Sequence, residues 1–242
     1  MLISISRVYG TLLEGTDGRV GTVKDLLFDG DDWKVRYLDV DTGKWLPGRR
    51  VILSPNVVHS VDYANHRLAV PLTRQQVADS PPLEAEMPVS RQKEMELARY
   101  YAWGAYWANL EAARGEAESQ GTSNLRSTRS VSGYPIRSMD GEIGHLDDFI
   151  MDDEAWENGP WEIRYLVIDT GRWLPGRHVL IPPLWAESID WETRRVDVGL
   201  TRDLIEKSPE YNPEEPVNRR YEEVLYDYYG RPRYWAGTGH AV

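Results

Sequence analysis

The chain has 242 residues, 41% hydrophobic and 28% charged, with a formal net charge of −11. That balance describes a folded globular protein and excludes a disordered or collagen-like chain, and no apolar run approaches the ~20 residues of a bilayer-spanning helix. There is no cysteine, which excludes disulfides, thiolate metal ligands and a thiol nucleophile.

The start, MLISISRVYG, lacks the charged, apolar and small-residue regions of a signal peptide, so a cytoplasmic location is expected. Residues 1–108 carry 13 basic and 14 acidic side chains, residues 131–242 carry 12 and 22, and the segment between carries 3 of each. The acidic second half repels phosphate backbones. Direct nucleic-acid contact is therefore not expected, and a protein partner with a basic surface is. The 10 Trp and 14 Tyr against 2 Phe suit half-exposed packing and interfaces, because both rings carry a polar tip.

In chain order, Val20, Val23 and Leu26–Phe28 predict a strand ended by the turn Asp29-Gly30-Asp31-Asp32. Val35, Tyr37, Leu38 and Val40 predict the next. The turn DTGKWLPGR follows at residues 41–49, where Pro47 fixes φ and Gly48 tolerates a positive φ. Val51–Leu53, Val57–Tyr63 and Arg67–Val70 continue the β pattern, as in a small antiparallel barrel or sandwich. Thr73 N-caps a short helix through Val77, stopped by Ser80-Pro81-Pro82. Ser90 opens a helix reading RQKEMELARYYAWGAYW. Residues 109–130, polar and rich in Ser and Gly, read as a linker.

The second half repeats the first. WKVRYLDVDTGKWLPGRRVILSPN, from Trp33, faces WEIRYLVIDTGRWLPGRHVLIPPL, from Trp161, at an offset of 128, with 14 of 24 positions identical. Upstream the offset is 123, so the second copy holds five extra residues within DDEAWENGPW. The last helix starts at Asn218, with Tyr221, Val224, Leu225 and Tyr228 predicted as its apolar stripe. Gly230 and Pro232 stop it.

These segments resemble the PRC-barrel family, named for the photosynthetic reaction centre. The resemblance rests on IGHLDDFIMD, the DTGxWLPGR turn with its flanking strands, and the LTRDLIEKSPEY tail, with their parallels in the first copy. It implies a mainly β chain of two tandem small antiparallel PRC-type barrels, each followed by short α-helices. The expected organisation is a first barrel at 1–85, a helical extension at 86–108, the linker at 109–130, a second barrel at 131–212, and a helical extension and tail at 213–242. Relatives include the cytoplasmic part of the reaction-centre H subunit and the C-terminal domain of a ribosome-maturation factor, which binds a small-subunit ribosomal protein. The family acts through protein–protein contacts, with no shared catalytic residues to carry over.

Asp-Thr-Gly occurring twice also evokes an aspartic protease, whose two carboxylates share a proton. Lys44 and Arg172 follow the glycines where that site needs a small residue. The later apolar-apolar-Gly motif has one candidate, Val198-Gly199, with no counterpart at Val70-Pro71. The expectation is instead a structural turn in each copy, built from Asp41, Gly43, Pro47 and Gly48 and from Asp169, Gly171, Pro175 and Gly176. In it each aspartate accepts backbone N–H bonds. Asp29, Asp31 and Asp32, or Asp152, Asp153 and Glu154, match no EF-hand spacing, and the five histidines are scattered. No metal and no cofactor are expected. Trp45, Arg49, Trp173 and Arg177 are the candidate partner-binding residues, since Trp and Arg are enriched in binding hot spots. The structural alternatives are core packing for the tryptophans and an ion pair of each arginine with Asp41 or Asp169.

The functional expectation is a non-enzymatic interaction or assembly module, an internal pseudo-dimer able to form homo-oligomers. The alternatives are a hydrolase or small-molecule-binding protein using Asp41 and Asp169 in a cleft between barrels, and a ribosome-associated factor.

Overall fold

A computed structural model describes residues 1–83, 88–107, 123–153, 161–171 and 176–237. In the first repeat, β2 (Leu12–Gly15), β3 (Gly18–Asp29), β4 (Val35–Asp41) and β5 (Arg50–Leu53) form an antiparallel meander. The chain then crosses over. β6 (Ser60–Asp62) and β7 (Arg67–Ala69) return beside β2, giving the order β5-β4-β3-β2-β7-β6. The second repeat follows the same plan with β9 (Pro135–Ser138), β10 (Gly141–Asp152), β11 (Glu162–Asp169), β12 (His178–Ile181), β13 (Ala186–Asp190) and β14 (Arg195–Val198), and β15 (Glu210–Tyr211) extends its edge.

The sheets are mixed rather than antiparallel. β7 pairs parallel to β2, and β14 parallel to β9, because the crossover brings each returning strand to the far side of the first strand instead of folding it back as a hairpin. Among the described residues neither sheet closes on itself. Register shifts within β3 and β10 bend these 12-residue strands, since a bulge adds a residue on one side of the ladder and raises local twist.

Each sheet gains one further strand, and it comes from the other repeat's sequence. β1 (Leu2–Ser4) pairs antiparallel with β10, placing Ile3 opposite Met151. β8 (Leu125–Ser127) pairs antiparallel with β3, placing Arg126 opposite Phe28. The two are equivalent at the offset of 123. Two compact units result: Arg7–Arg129 with Glu154–Glu162, and Met1–Ser6 with Ser130–Asp153 and Ile163–Val242. The stretch 125–130, assigned from composition to the linker, forms β8 and most of the helical turn α3 (Thr128–Val131). The remainder of the expected linker, from 109 to 122, lies outside the described residues.

The same latch pins both exchanged strands. The Ser4 hydroxyl donates to Asp148, and the Ser6 N–H donates to Asp148 Oδ1 at 3.3 Å. One repeat on, the Ser127 hydroxyl donates to Asp25, and the Arg129 N–H to Asp25 Oδ1 at 3.2 Å. Thr128 Oγ1 adds a bond to Asp25 Oδ1 at 2.8 Å. Burial raises the Asp148 carboxyl above the ordinary carboxylate range, and the Ser4 and backbone donors oppose that shift.

The helices begin where local chemistry satisfies their first N–H groups. Thr73 and Gln76 form a reciprocal capping box on α1 (Arg74–Ala78), and Asp17 Oδ1 accepts from the Arg74 N–H at 2.8 Å. On α4 (Arg202–Glu206) Thr201 caps the Leu204 N–H without the reciprocal bond, since leucine stands where Gln76 does, and Asp140 Oδ1 accepts from the Arg202 N–H at 2.8 Å. Ser90 caps α2 (Arg91–Tyr101), and Asn218 caps α5 (Arg219–Tyr229), which Gly230 ends in the left-handed conformation. The first long helix stops at Tyr101, with Ala102 left-handed, so Trp103, Tyr106 and Trp107 belong to the segment after it.

The buried face of α5 keeps Leu225 of the expected stripe but not Val224. Val224 is 51% exposed, whereas Glu222, Leu225 and Tyr226 are buried. α2 buries the equivalent Glu94, Leu97 and Ala98. A carboxylate therefore occupies an i, i+3, i+4 core position on each helix, which requires partners that offset its desolvation.

Candidate functional site

Those partners are supplied twice over. Glu94 Oε1 accepts from the hydroxyls of Tyr37 at 3.1 Å and Tyr106 at 2.5 Å, and Arg91 Nη1 reaches Oε2 at 2.7 Å. Glu222 Oε1 accepts from Tyr165 at 2.7 Å and Tyr234 at 2.9 Å, with Arg219 Nη1 at 2.9 Å from Oε2. Every pair is separated by 128 in sequence. Burial raises the Glu94 carboxyl above its ordinary value, opposed by Tyr106, Arg91 and Tyr37. It also pushes the Tyr37 and Tyr165 hydroxyls well above theirs, so both stay protonated donors. Cation–π contacts close each cluster, Arg36 lying 3.9 Å from the Tyr106 ring centre and Arg164 4.5 Å from that of Tyr234. The cluster fastens each helix to its sheet. Sequence reading missed it because a helical glutamate looks solvated. The available signal was the fixed spacing of Tyr, Arg, Glu and Tyr, recurring 128 residues on.

The DTG turns have similarly local bonding. Asp41 Oδ1 accepts from the Gly43 N–H at 2.8 Å, and Asp169 Oδ1 from Gly171 at 2.7 Å. Gly43, Gly48, Gly171 and Gly176 all hold positive φ. A Cβ on Gly21 or Gly144 would strike the carbonyl oxygen of Asp41 or Asp169, so these two glycines let β3 and β10 pass under the turns. The Trp45 indole N–H donates to the Val20 carbonyl at 2.7 Å, and Arg74 stacks on its ring at 4.5 Å. Arg49 donates to the Ala78 carbonyl, and Arg177 to the Ser208 carbonyl. Each arginine thus pins its turn to the segment after the sheet strands, in place of an ion pair with Asp41 or Asp169. The open carbonyls at a short helix's end attract a guanidinium more directly than an aspartate already engaged in its own turn. Arg172, Trp173, Leu174 and Pro175 lie outside the described residues, as does Glu154.

Around the first turn a depression of about 230 Å³ is lined by residues that include Lys24, Asp39, Asp41, Thr42, Gly48, Arg49 and Arg50. Arg50 Nε pairs with Asp39 at 2.9 Å. Burial raises the Asp39 carboxyl, with Arg50 opposing. Lys24, Asp41, Lys44 and Pro47 stand exposed about it. Among the described residues no three His, Asp or Glu side chains cluster to hold a metal, and no helix is long and apolar enough to cross a membrane.

The architecture defines a class: a small, mainly β domain with bent central strands, present twice and followed each time by a docked helix. Residues 3–77 match the family model of the PRC-barrel domain. No curated protein matches the chain.

Proposed function

We propose that the protein is a non-enzymatic interaction and assembly module that engages a protein partner through the DTGKWLPGR face. The observation that carries this reading is the preorganisation of the turn. Asp41, Trp45 and Arg49 are each committed to backbone groups, so the turn loses little freedom on binding. That lowers the ordering cost an interface otherwise bears. The exposed Lys24, Asp41, Lys44 and Pro47 present both signs of charge beside an apolar shoulder, the make-up of an interface rim.

The test is affinity capture on the full chain, repeated with Lys24→Glu/Lys44→Glu, which leaves the internal turn bonds intact. A specific captured protein that is lost on charge reversal, and whose binding weakens with salt, is the expected result. Capture that is identical for both forms removes this face from the reading, and repeated failure to capture any specific protein removes the reading itself.

A further inference from the structure

The two repeats differ in one place where packing in the second shows what the first lacks. In the second, the Tyr226 ring is buried against Trp185, Trp235 and Tyr234, with ring centres 5.3, 5.1 and 6.1 Å away. Burial raises its hydroxyl above the ordinary tyrosine range, with Tyr165 and the charge of Arg164 opposing that shift. In the first repeat the equivalent of Tyr226 is Ala98, that of Trp185 is Val57, and that of Leu184 is Asn56. A ring has become a methyl, and the space it would fill is a cavity of about 150 Å³.

Among the residues lining that cavity are Ala98, Trp103, Tyr106, Trp107, Asn56 and Arg36. An engineered protein cavity of about 150 Å³ is known to hold a benzene-sized molecule, so this one has room for a single aromatic ring. Tyr106 and Trp107 are the counterparts of Tyr234 and Trp235, which already clasp a ring in the second repeat. Asn56 and Gly104 are exposed and give access from solvent. The polar end is provided for as well. Arg36 is 7% exposed, its guanidinium pairs with Asp32, and its Nε has no hydrogen-bond partner among the described residues. A buried N–H left in that state gains from an acceptor brought by a ligand. Arg36 occupies the place of Arg164, whose charge acts on the Tyr226 hydroxyl.

We infer that this cavity is a binding site for a phenolic ring, seated between Trp107 and Ala98 with its hydroxyl oxygen towards Arg36. The ring has two possible sources, a free monocyclic phenol or a tyrosine side chain on a partner. The site is separate from the DTGKWLPGR face and does not depend on it.

Calorimetric titration of the full chain with p-cresol tests the assignment, with toluene and N-acetyl-tyrosinamide as comparisons. Saturable one-to-one binding of p-cresol is expected, with toluene about fivefold weaker for want of one hydrogen bond. Ala98→Tyr, which installs the second repeat's own ring, should weaken p-cresol by about tenfold or more and raise the melting temperature. Ala98→Leu fills the space with a smaller group and gives the same direction if the tyrosine variant misfolds. Tyr226→Ala should add a second site. Binding of N-acetyl-tyrosinamide as tight as p-cresol assigns the ring to a partner's tyrosine, and p-cresol binding alone assigns it to a free phenol. Absence of saturable p-cresol binding, or binding that survives in both Ala98 variants, overturns the proposal.

Discussion

Replacing Ile5 with alanine tests the strand exchange at its most exposed consequence. Ile5 is fully buried directly after β1, and by contacts it belongs to the unit built on the second repeat. Truncating a buried isoleucine costs about 2–5 kcal/mol, the lost transfer free energy plus the cavity left behind. β1 meets β10 at Leu2–Asp152, Ile3–Met151 and Ser4–Ile150, so loosening its anchor frees that edge. A loss of about 3 kcal/mol corresponds to opening roughly a hundredfold more frequent. In native-state hydrogen exchange read by mass spectrometry, the amides of Ile150–Asp152 should exchange about a hundredfold faster, while Leu27–Asp29 keep their wild-type rates. The mirror variant is Thr128→Val. It removes the buried hydroxyl that bonds Asp25, worth about 1.5–3 kcal/mol as a bond to a charged group, and should loosen Leu27–Asp29 instead. Faster exchange at Leu27–Asp29 in Ile5→Ala, with Ile150–Asp152 unchanged, would refute the exchange.

Tyr165→Phe removes one donor from buried Glu222 and should lower stability by about 1.5–3 kcal/mol, read from the denaturant midpoint; a change under about 0.5 kcal/mol would deny the cluster its fastening role. Burial holds the Glu94 carboxyl above the ordinary glutamate value of 4.5, so its folded-state pKa exceeds its unfolded one. Its contribution to stability is then fully present below pH 4.5 and declines as pH rises through the raised value. Melts of wild type and Glu94→Gln between about pH 4 and pH 7 should show the difference moving in the variant's favour as pH rises, and a pH-independent difference refutes that origin. Gly144→Ala combines a φ of +146° with a clash against the Asp169 carbonyl and should cost at least about 1–3 kcal/mol, whereas unchanged stability would mean the turn can move aside.

Much of the fold was legible because its determinants are local. Short apolar runs bounded by turn residues mark β3 and β4, and Thr73, Ser90, Asn218 and Gly230 bound helices through bonds to residues three or four away. The repeat carried those readings to the second half. What escaped was long-range. Nothing in Leu2-Ile3-Ser4 says that its pairing partner lies about 150 residues on rather than in the neighbouring β2–β3 hairpin, and Ser127 looked like one more linker serine. Glu222 was set outside the helix's apolar stripe because a carboxylate is buried only when remote groups satisfy it, and Tyr165 and Tyr234 are remote in sequence. The structural alternative for Arg49 was an ion pair with Asp41, although its partner is the Ala78 carbonyl, which carries no mark in the sequence.

The duplication also separates what holds this fold from what it uses. Two copies in one chain share temperature, solvent and folding history, so a bond present in both answers a requirement of the architecture. The serine–aspartate latch, the Tyr–Glu–Tyr cluster and the aspartate–glycine turn all pass that test. A position where the copies diverge while the surrounding frame stays the same is released from that requirement. Ala98 against Tyr226 is such a position, and the exchange costs the first repeat a buried ring of the kind that contributes most to packing. Trp103 offsets only part of it. Trp103 stacks face to face on Tyr101 at 4.4 Å, whereas Trp185 meets Tyr229 edge-on at 4.9 Å in the second copy, and the space beside Ala98 stays open. Stability alone would favour filling that space, as the second copy does, so the cavity is where to look first for a ligand.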